Sequence, residues 1–198
     1  MPPGYFIEYS GSYKNMIESF LSLSLGFILA ITLVYMVMAA QFESLTHPFI
    51  IMFSVPYSLI GVFWALFLSR TYLSVPSFIG IICVMGVVVN NGIVLVDYIN
   101  RLRERGLPVR EAIIKAGSTR LRPILMTTVT TLLGVLPMAI MGGDGSEMKQ
   151  PLGWAIFGGL LCGTLLTLVV MPTIYLILDG WARWVRAKTL WYLHREKV

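Results

Sequence analysis

The sequence predicts an all-α integral membrane protein built as a five-span helical bundle, and three observations carry that reading. The chain has 198 residues, 57% hydrophobic and 13% charged, against about a quarter charged in soluble domains. Five charge-free stretches each reach the roughly 20 residues that a helix needs to cross about 30 Å of hydrocarbon. The basic residues also fall into two blocks that an odd number of spans places on one side. Five buried helices of a soluble protein would leave almost nothing to face water.

The spans are read at about 19–42, 48–69, 72–97, 123–143 and 151–178. The first is bounded by Glu18 and Glu43, the second ends before Arg70 and the third ends at Asp97. The fourth opens at Pro123 and stops short of Asp144, and the fifth is closed by Asp179. Segment 98–122 carries Arg101, Arg103, Arg105, Arg110, Lys115, Arg120 and Arg122. The tail 180–198 carries Arg183, Arg186, Lys188, Arg195 and Lys197, leaving only Lys14, Arg70 and Lys149 elsewhere. Lys and Arg concentrate on cytoplasmic loops. The expected orientation is therefore N-terminus outside, with the 98–122 loop and the C-terminal tail in the cytoplasm. That distribution accounts for the net charge of +5 without a nucleic-acid partner; the expected surroundings are membrane lipids.

Short turns are expected at Gln41–His47 and Thr71–Ser74. Within 98–122, Val109, Ala112, Ile113 and Ala116 recur at helical spacing, with Pro108 suited to the first turn. This reads as an amphipathic helix lying on the inner membrane face. Trp181, Trp184, Trp191 and Tyr192 among basic residues read as an interfacial anchor. Residues 1–18 form no domain of their own. Gly4–Ser10 alternates weakly, like one strand leaving a sheet, and a lone strand is unstable. The expectation is a sequence that begins inside a larger protein.

Polar interruptions of the spans are informative because lipid makes them costly unless partnered. Asn90 and Asn91 sit side by side in the third span. An unpaired buried amide costs roughly 2–7 kcal/mol, and neighbours on a helix point about 100° apart. Either a polar coupling site or interhelical hydrogen-bond glue satisfies these residues, and the sequence leaves both open. Thr127, Thr128, Thr130 and Thr131 suggest one polar face in the fourth span, although each hydroxyl can bond its own helix. Arg120 can reach the headgroups or turn inward to a buried carboxylate. Asp97 is a possible boundary carboxylate within reach of water. Pro56, Pro137 and Pro172 interrupt spans two, four and five. Gly158, Gly159 and Gly163 give the fifth span a close-packing face.

No catalytic set emerges: the chain has no His-Glu-x-x-His, Walker loop or nucleophile elbow. His47 and His194 lie outside the expected spans. Cys83 and Cys162 sit in apolar runs, and the eleven methionines show no paired spacing for a soft metal. Neither a metal site nor a bound cofactor is expected.

Several strings resemble the C-terminal half of resistance-nodulation-division (RND) exporters. Met38-Ala39-Ala40-Gln41-Phe42-Glu43-Ser44 with Pro48 resembles their first cytoplasmic turn in that half. GVVVNNGIVLVD, Gly86–Asp97, resembles the tenth span, and Arg120–Thr127, RLRPILMT, the start of the eleventh. Gly134-Val135-Leu136-Pro137 and Pro172-Thr173-Ile174-Tyr175 fit the eleventh and twelfth. The resemblance implies spans eight to twelve, half of a twelve-span fold, with residues 1–18 ending a periplasmic porter and docking region. It further implies a proton antiporter of the hydrophobe/amphiphile branch, not an enzyme. Such a pump is a homotrimer in the bacterial inner membrane, driven by the proton gradient. In a Gram-negative cell it works with a periplasmic adaptor and an outer-membrane channel. In such pumps two aspartates on the fourth span, absent from this chain, exchange protons. By position Arg120 and Thr127 match the relay's arginine and threonine, and Asn91 its asparagine. Asn90 stands where many drug exporters have lysine, so a neutral amide replaces a charge. Cargo could equally be metal ions or lipids, and the residues alone also admit a free-standing structural or assembly membrane protein.

Overall fold

The computed structural model describes residues 11–143 and 145–195, and within these the chain is helical throughout. The helices are α1 (Ser12–Phe42), α2 (Thr46–Met52), α3 (Ser54–Leu68), α4 (Val75–Glu104), α5 (Val109–Ile140) and α6 (Ser146–Arg195). Taking α2 and α3 together, five helical stretches are long and apolar enough to cross a membrane. The strand read at residues 4–10 lies outside the described residues, as do the aromatic side chains of the tail.

Local chemistry explains the breaks. Pro56 has no N–H to donate to the carbonyl of Met52; the second span accordingly splits at Phe53 into α2 and α3. Glu43 takes a left-handed φ of 46° to end α1, and Arg70 one of 55° in the turn after α3. Ser74 caps α4 in a reciprocal capping box with Ser77. Pro123, Pro137 and Pro172 are all carried inside continuous helices.

The region 98–122 differs from the expected loop. α4 runs on to Glu104, a turn through Gly106 at φ 87° reverses the chain, and α5 starts at Val109. The segment read as a surface helix is the first part of α5. Ala112 and Ala116 are fully buried and pack with Leu102, Ile99 and Tyr175 in the main core cluster. Small side chains on that stripe let α5 approach closely, which removes its apolar face from the membrane surface. As far as Arg195 the basic tail continues α6, which runs unbroken for 50 residues, about 75 Å at 1.5 Å per residue.

The last helix is the axis of the bundle, packing against α3, α4 and α5. Gly158 lies against Gly61 and Ala65 of α3. A Cβ on Gly159 would stand 2.7 Å from Val84 of α4 and 2.8 Å from Val62 of α3. On Gly163 it would stand 2.8 Å from Val88. α1 is different: none of its most apolar window is buried, and Leu21, Leu25, Ile28 and Leu29 are exposed. Replacing Gly158 with Val forces a branched side chain into the α3 backbone. It is expected to destabilise the fold by about 1–3 kcal/mol in thermal unfolding of the purified chain. Gly26→Ala, with nothing within 4 Å of the new atom, serves as the neutral control.

Candidate functional site

The two adjacent amides of α4 face different neighbours, as the helical angle requires. Asn90 is exposed and lines an apolar groove of about 320 Å³ with Val34 and Met38 of α1, Met52 of α2, and Met85 and Val89. Asn91, about 100° round the helix, is 9% exposed and sits on the buried side. Its Nδ2 is shielded from solvent and has no hydrogen-bond partner among the described residues.

Arg120 neither reaches outward nor meets a carboxylate among the described residues. Its guanidinium carbon lies 4.8 Å from the ring centroid of Tyr98 on α4, a distance at which the ring face attracts a cation. Its Nε is buried without a hydrogen-bond partner. Asp97 is bound by Arg101 one turn on, Nε to Oδ2 2.9 Å, with both groups reached by solvent. An exposed i,i+4 pair of this kind contributes little to stability.

The threonines divide. Thr127 donates to the Ile124 carbonyl at 2.9 Å, Thr130 to Met126 at 2.8 Å and Thr131 to Thr127 at 2.9 Å. Only Thr128 turns into the bundle, where its hydroxyl is 3.3 Å from that of Thr164 on α6. One polar face of four threonines therefore does not form, because the 100° step sends Thr128 away from the other three. No hydrogen bond among the described residues joins Asn90, Asn91, Arg120 and Thr127 to one another.

A second polar cluster was missed in the sequence. Tyr175 of α6 is 2% exposed; its hydroxyl donates to Asn100 Oδ1 at 2.7 Å and accepts from Arg103 Nη1 at 2.9 Å. The imidazole of His47, on α2, stacks on the Tyr175 ring at 6.0 Å and packs beside Phe42. The cluster ties α2, α4 and α6 together at one end of the bundle. Its signal was the three-residue spacing of Asn100 and Arg103, which sets both on one helix face. Arg103 counts in the sequence only toward the basic block 98–122, and Asn100 draws no notice there.

The sequence also matches known proteins over most of its length. Residues 1–179 fit the model of the AcrB/AcrD/AcrF family. The chain belongs to that family of RND efflux transporters. It is 39% identical over 178 residues to swarming motility protein SwrC of Bacillus subtilis (strain 168), covering 89% of this chain and 17% of that protein. It is 43% identical over 178 residues to multidrug resistance protein MdtC of Proteus mirabilis (strain HI4320), with the same coverage. The fold superposes on a crystal structure of a heavy metal efflux pump with a TM-score of 0.77 at 28% identity, covering 89% of this chain and 18% of that one. This RND chain thus spans less than a fifth of the length of these relatives.

Replacing Tyr175 with Phe removes the hydroxyl that joins Arg103 to Asn100 and takes one hydrogen bond from each of these partly buried groups. A loss of about 1–3 kcal/mol is expected in thermal unfolding. Combined with Arg103→Ala, the loss should fall short of the sum, since the two changes delete one interaction.

Proposed function

We propose that the chain forms spans eight to twelve of a proton-driven exporter of amphiphilic compounds, with Asn90, Asn91, Arg120 and Thr127 in its proton-coupling network. The observation that supports this most is Arg120. A cation inside a membrane helix is costly unless it is partnered, and here the guanidinium lies over an aromatic face, with Nε unmatched among the described residues. A carboxylate elsewhere in the transporter would complete it. The same reasoning covers Asn90, an exposed amide beside an apolar groove. When such carboxylates take up protons, their hold on Arg120 and Asn90 weakens. Helix packing then shifts between two states. The name of the MdtC relative favours multidrug cargo, while the heavy metal efflux pump favours metal ions as the second reading.

In this reading the protein lies in the bacterial inner membrane as part of a homotrimer, surrounded by lipid. In a Gram-negative cell it works with a periplasmic adaptor and an outer-membrane channel. The proton gradient drives it with no bound cofactor. Residues 1–18 then close the periplasmic region, and the helical hairpin at 98–122 and tail 180–198 face the cytoplasm.

Two outcomes are expected. In the complete transporter, Arg120→Ala should lower proton-dependent efflux of a fluorescent amphiphile at least tenfold (roughly 1.4 kcal/mol). Asn90→Ala should lower it less, since a neutral amide holds a carboxylate more weakly than a cation. Unchanged efflux in both variants removes them from coupling. For orientation, Cys83 and Cys162 are replaced by Ser and single cysteines placed at the exposed positions Ile114 and Met148. An impermeant thiol reagent added outside cells should label position 148 and spare 114; the reverse pattern inverts the topology.

A further inference from the structure

One stripe of α5 is exposed from Lys115 to the end of the helix, and it changes character once. At about 100° per residue, Lys115, Arg122, Met126, Val129, Leu133 and Ile140 fall within about 60° of one another. All six are exposed. The buried Ile124, Thr128, Leu132 and Ala139, which seat α5 in the bundle, centre on the opposite half of the helix. The first two residues of the stripe are cations and the last four are apolar. From Arg122 to Leu133 the stripe covers about 16 Å, close to half of a hydrocarbon core of roughly 30 Å. The apolar part therefore matches one leaflet, with both cations at headgroup level.

Neither cation forms an ion pair with a described residue. Glu111, the carboxylate of α5, lies a turn beyond Lys115 on the side away from the hydrocarbon. Ser118 and Thr119, between the two cations, donate to the Lys115 carbonyl at 3.0 and 2.8 Å and so offer no free O–H to a ligand. Helical side chains lean toward the N-terminus, which draws Arg122 back toward Lys115 and out of the apolar zone. A face of this order takes an occupant with a negative head and a long apolar body. A second copy meeting it with the same face would set Lys115 and Arg122 against their own likes. We propose that this stripe holds one anionic phospholipid, its phosphate on Lys115 and Arg122 and an acyl chain along Met126, Val129 and Leu133. Cations near the membrane surface favour anionic lipids over neutral ones, and the guanidinium fork of Arg122 suits a phosphate. The inference needs only that the chain crosses a membrane, and it stands whether or not transport is proton-driven.

The test uses the purified chain in nanodiscs, with Cys83 and Cys162 replaced by Ser and a fluorescent thiol probe on Met126→Cys. Phosphatidylglycerol or phosphatidylcholine with a spin-labelled acyl chain is titrated in, and quenching is read. Phosphatidylglycerol is expected to quench at a concentration about tenfold or more below phosphatidylcholine, at roughly fivefold per cation. Lys115→Gln with Arg122→Gln should bring the two lipids level. Arg105→Gln with Arg110→Gln removes the same charge from exposed positions off the stripe and should keep the difference. If the two pairs act alike, the attraction belongs to the basic hairpin at large and the proposal falls. Free glycerol 3-phosphate should not relieve the quenching; relief would assign the cations to a soluble phosphate instead. In the complete transporter the probe should still be quenched. Protection from both lipids there would overturn the proposal, since protein would then cover the stripe.

Discussion

Backbone-to-backbone approach along α6 is the constraint from which the rest of the bundle follows. In lipid there is no hydrophobic gain from bringing two apolar helices together; association rests on close van der Waals fit and interhelical hydrogen bonds. Gly158, Gly159 and Gly163 supply that fit. They let α3 and α4 settle against α6 at distances that any side chain would obstruct. With α3 and α4 seated, Ile81, Val84 and Val88 become core rather than lipid-facing surface. α5 closes the third side through Ala139 against Gly153 and the Thr128–Thr164 pair. α1 has no such glycine face: it gives Met38 to the core and packs Phe27, Ile31 and Val34 against it, while Leu21, Leu25, Ile28 and Leu29 stay on the outside of this chain.

The polar residues of the spans obey the same rule from the other direction. A polar group in lipid persists where something answers it. Most of the hydroxyls are answered by their own helices. Tyr175, Asn100 and Arg103 answer one another across α4 and α6. Arg120 is answered in part by the ring of Tyr98, and Asn91 and Thr167 by nothing among the described side chains. The incompletely answered groups differ in kind. Arg120 carries a full charge on a half-buried side chain and calls for an opposite charge. Asn91 and Thr167 are neutral and enclosed.

Much of the fold was legible because lipid imposes a length and a composition that a sequence displays directly. α1 ends one residue before Glu43, whereas α4 and α6 run on past Asp97 and Asp179. The α4–α5 hairpin was not legible as such. Val109, Ala112 and Ala116 show a helical period, but period alone does not say what covers the face. Ala112 and Ala116 were read as membrane-surface residues and are core residues. The Tyr175 cluster was hidden for a related reason. Asn100 and Arg103 announce one helix face, yet their partner is more than 70 residues away, on a helix whose rotation the local sequence leaves undefined.

By itself the sequence determined the number of spans, the blocks of basic charge, the proline and glycine positions and membership of a transporter family. Each of these depends on composition or on short strings, and so survives without knowledge of neighbours. Tertiary structure alone decided which way each polar side chain turns: Asn90 to the groove, Asn91 into the buried interior, Arg120 to Tyr98, Thr128 to Thr164. Those choices depend on helix rotation and register. Both are set by where small residues allow two backbones to meet, which is a property of pairs of helices and not of any one of them.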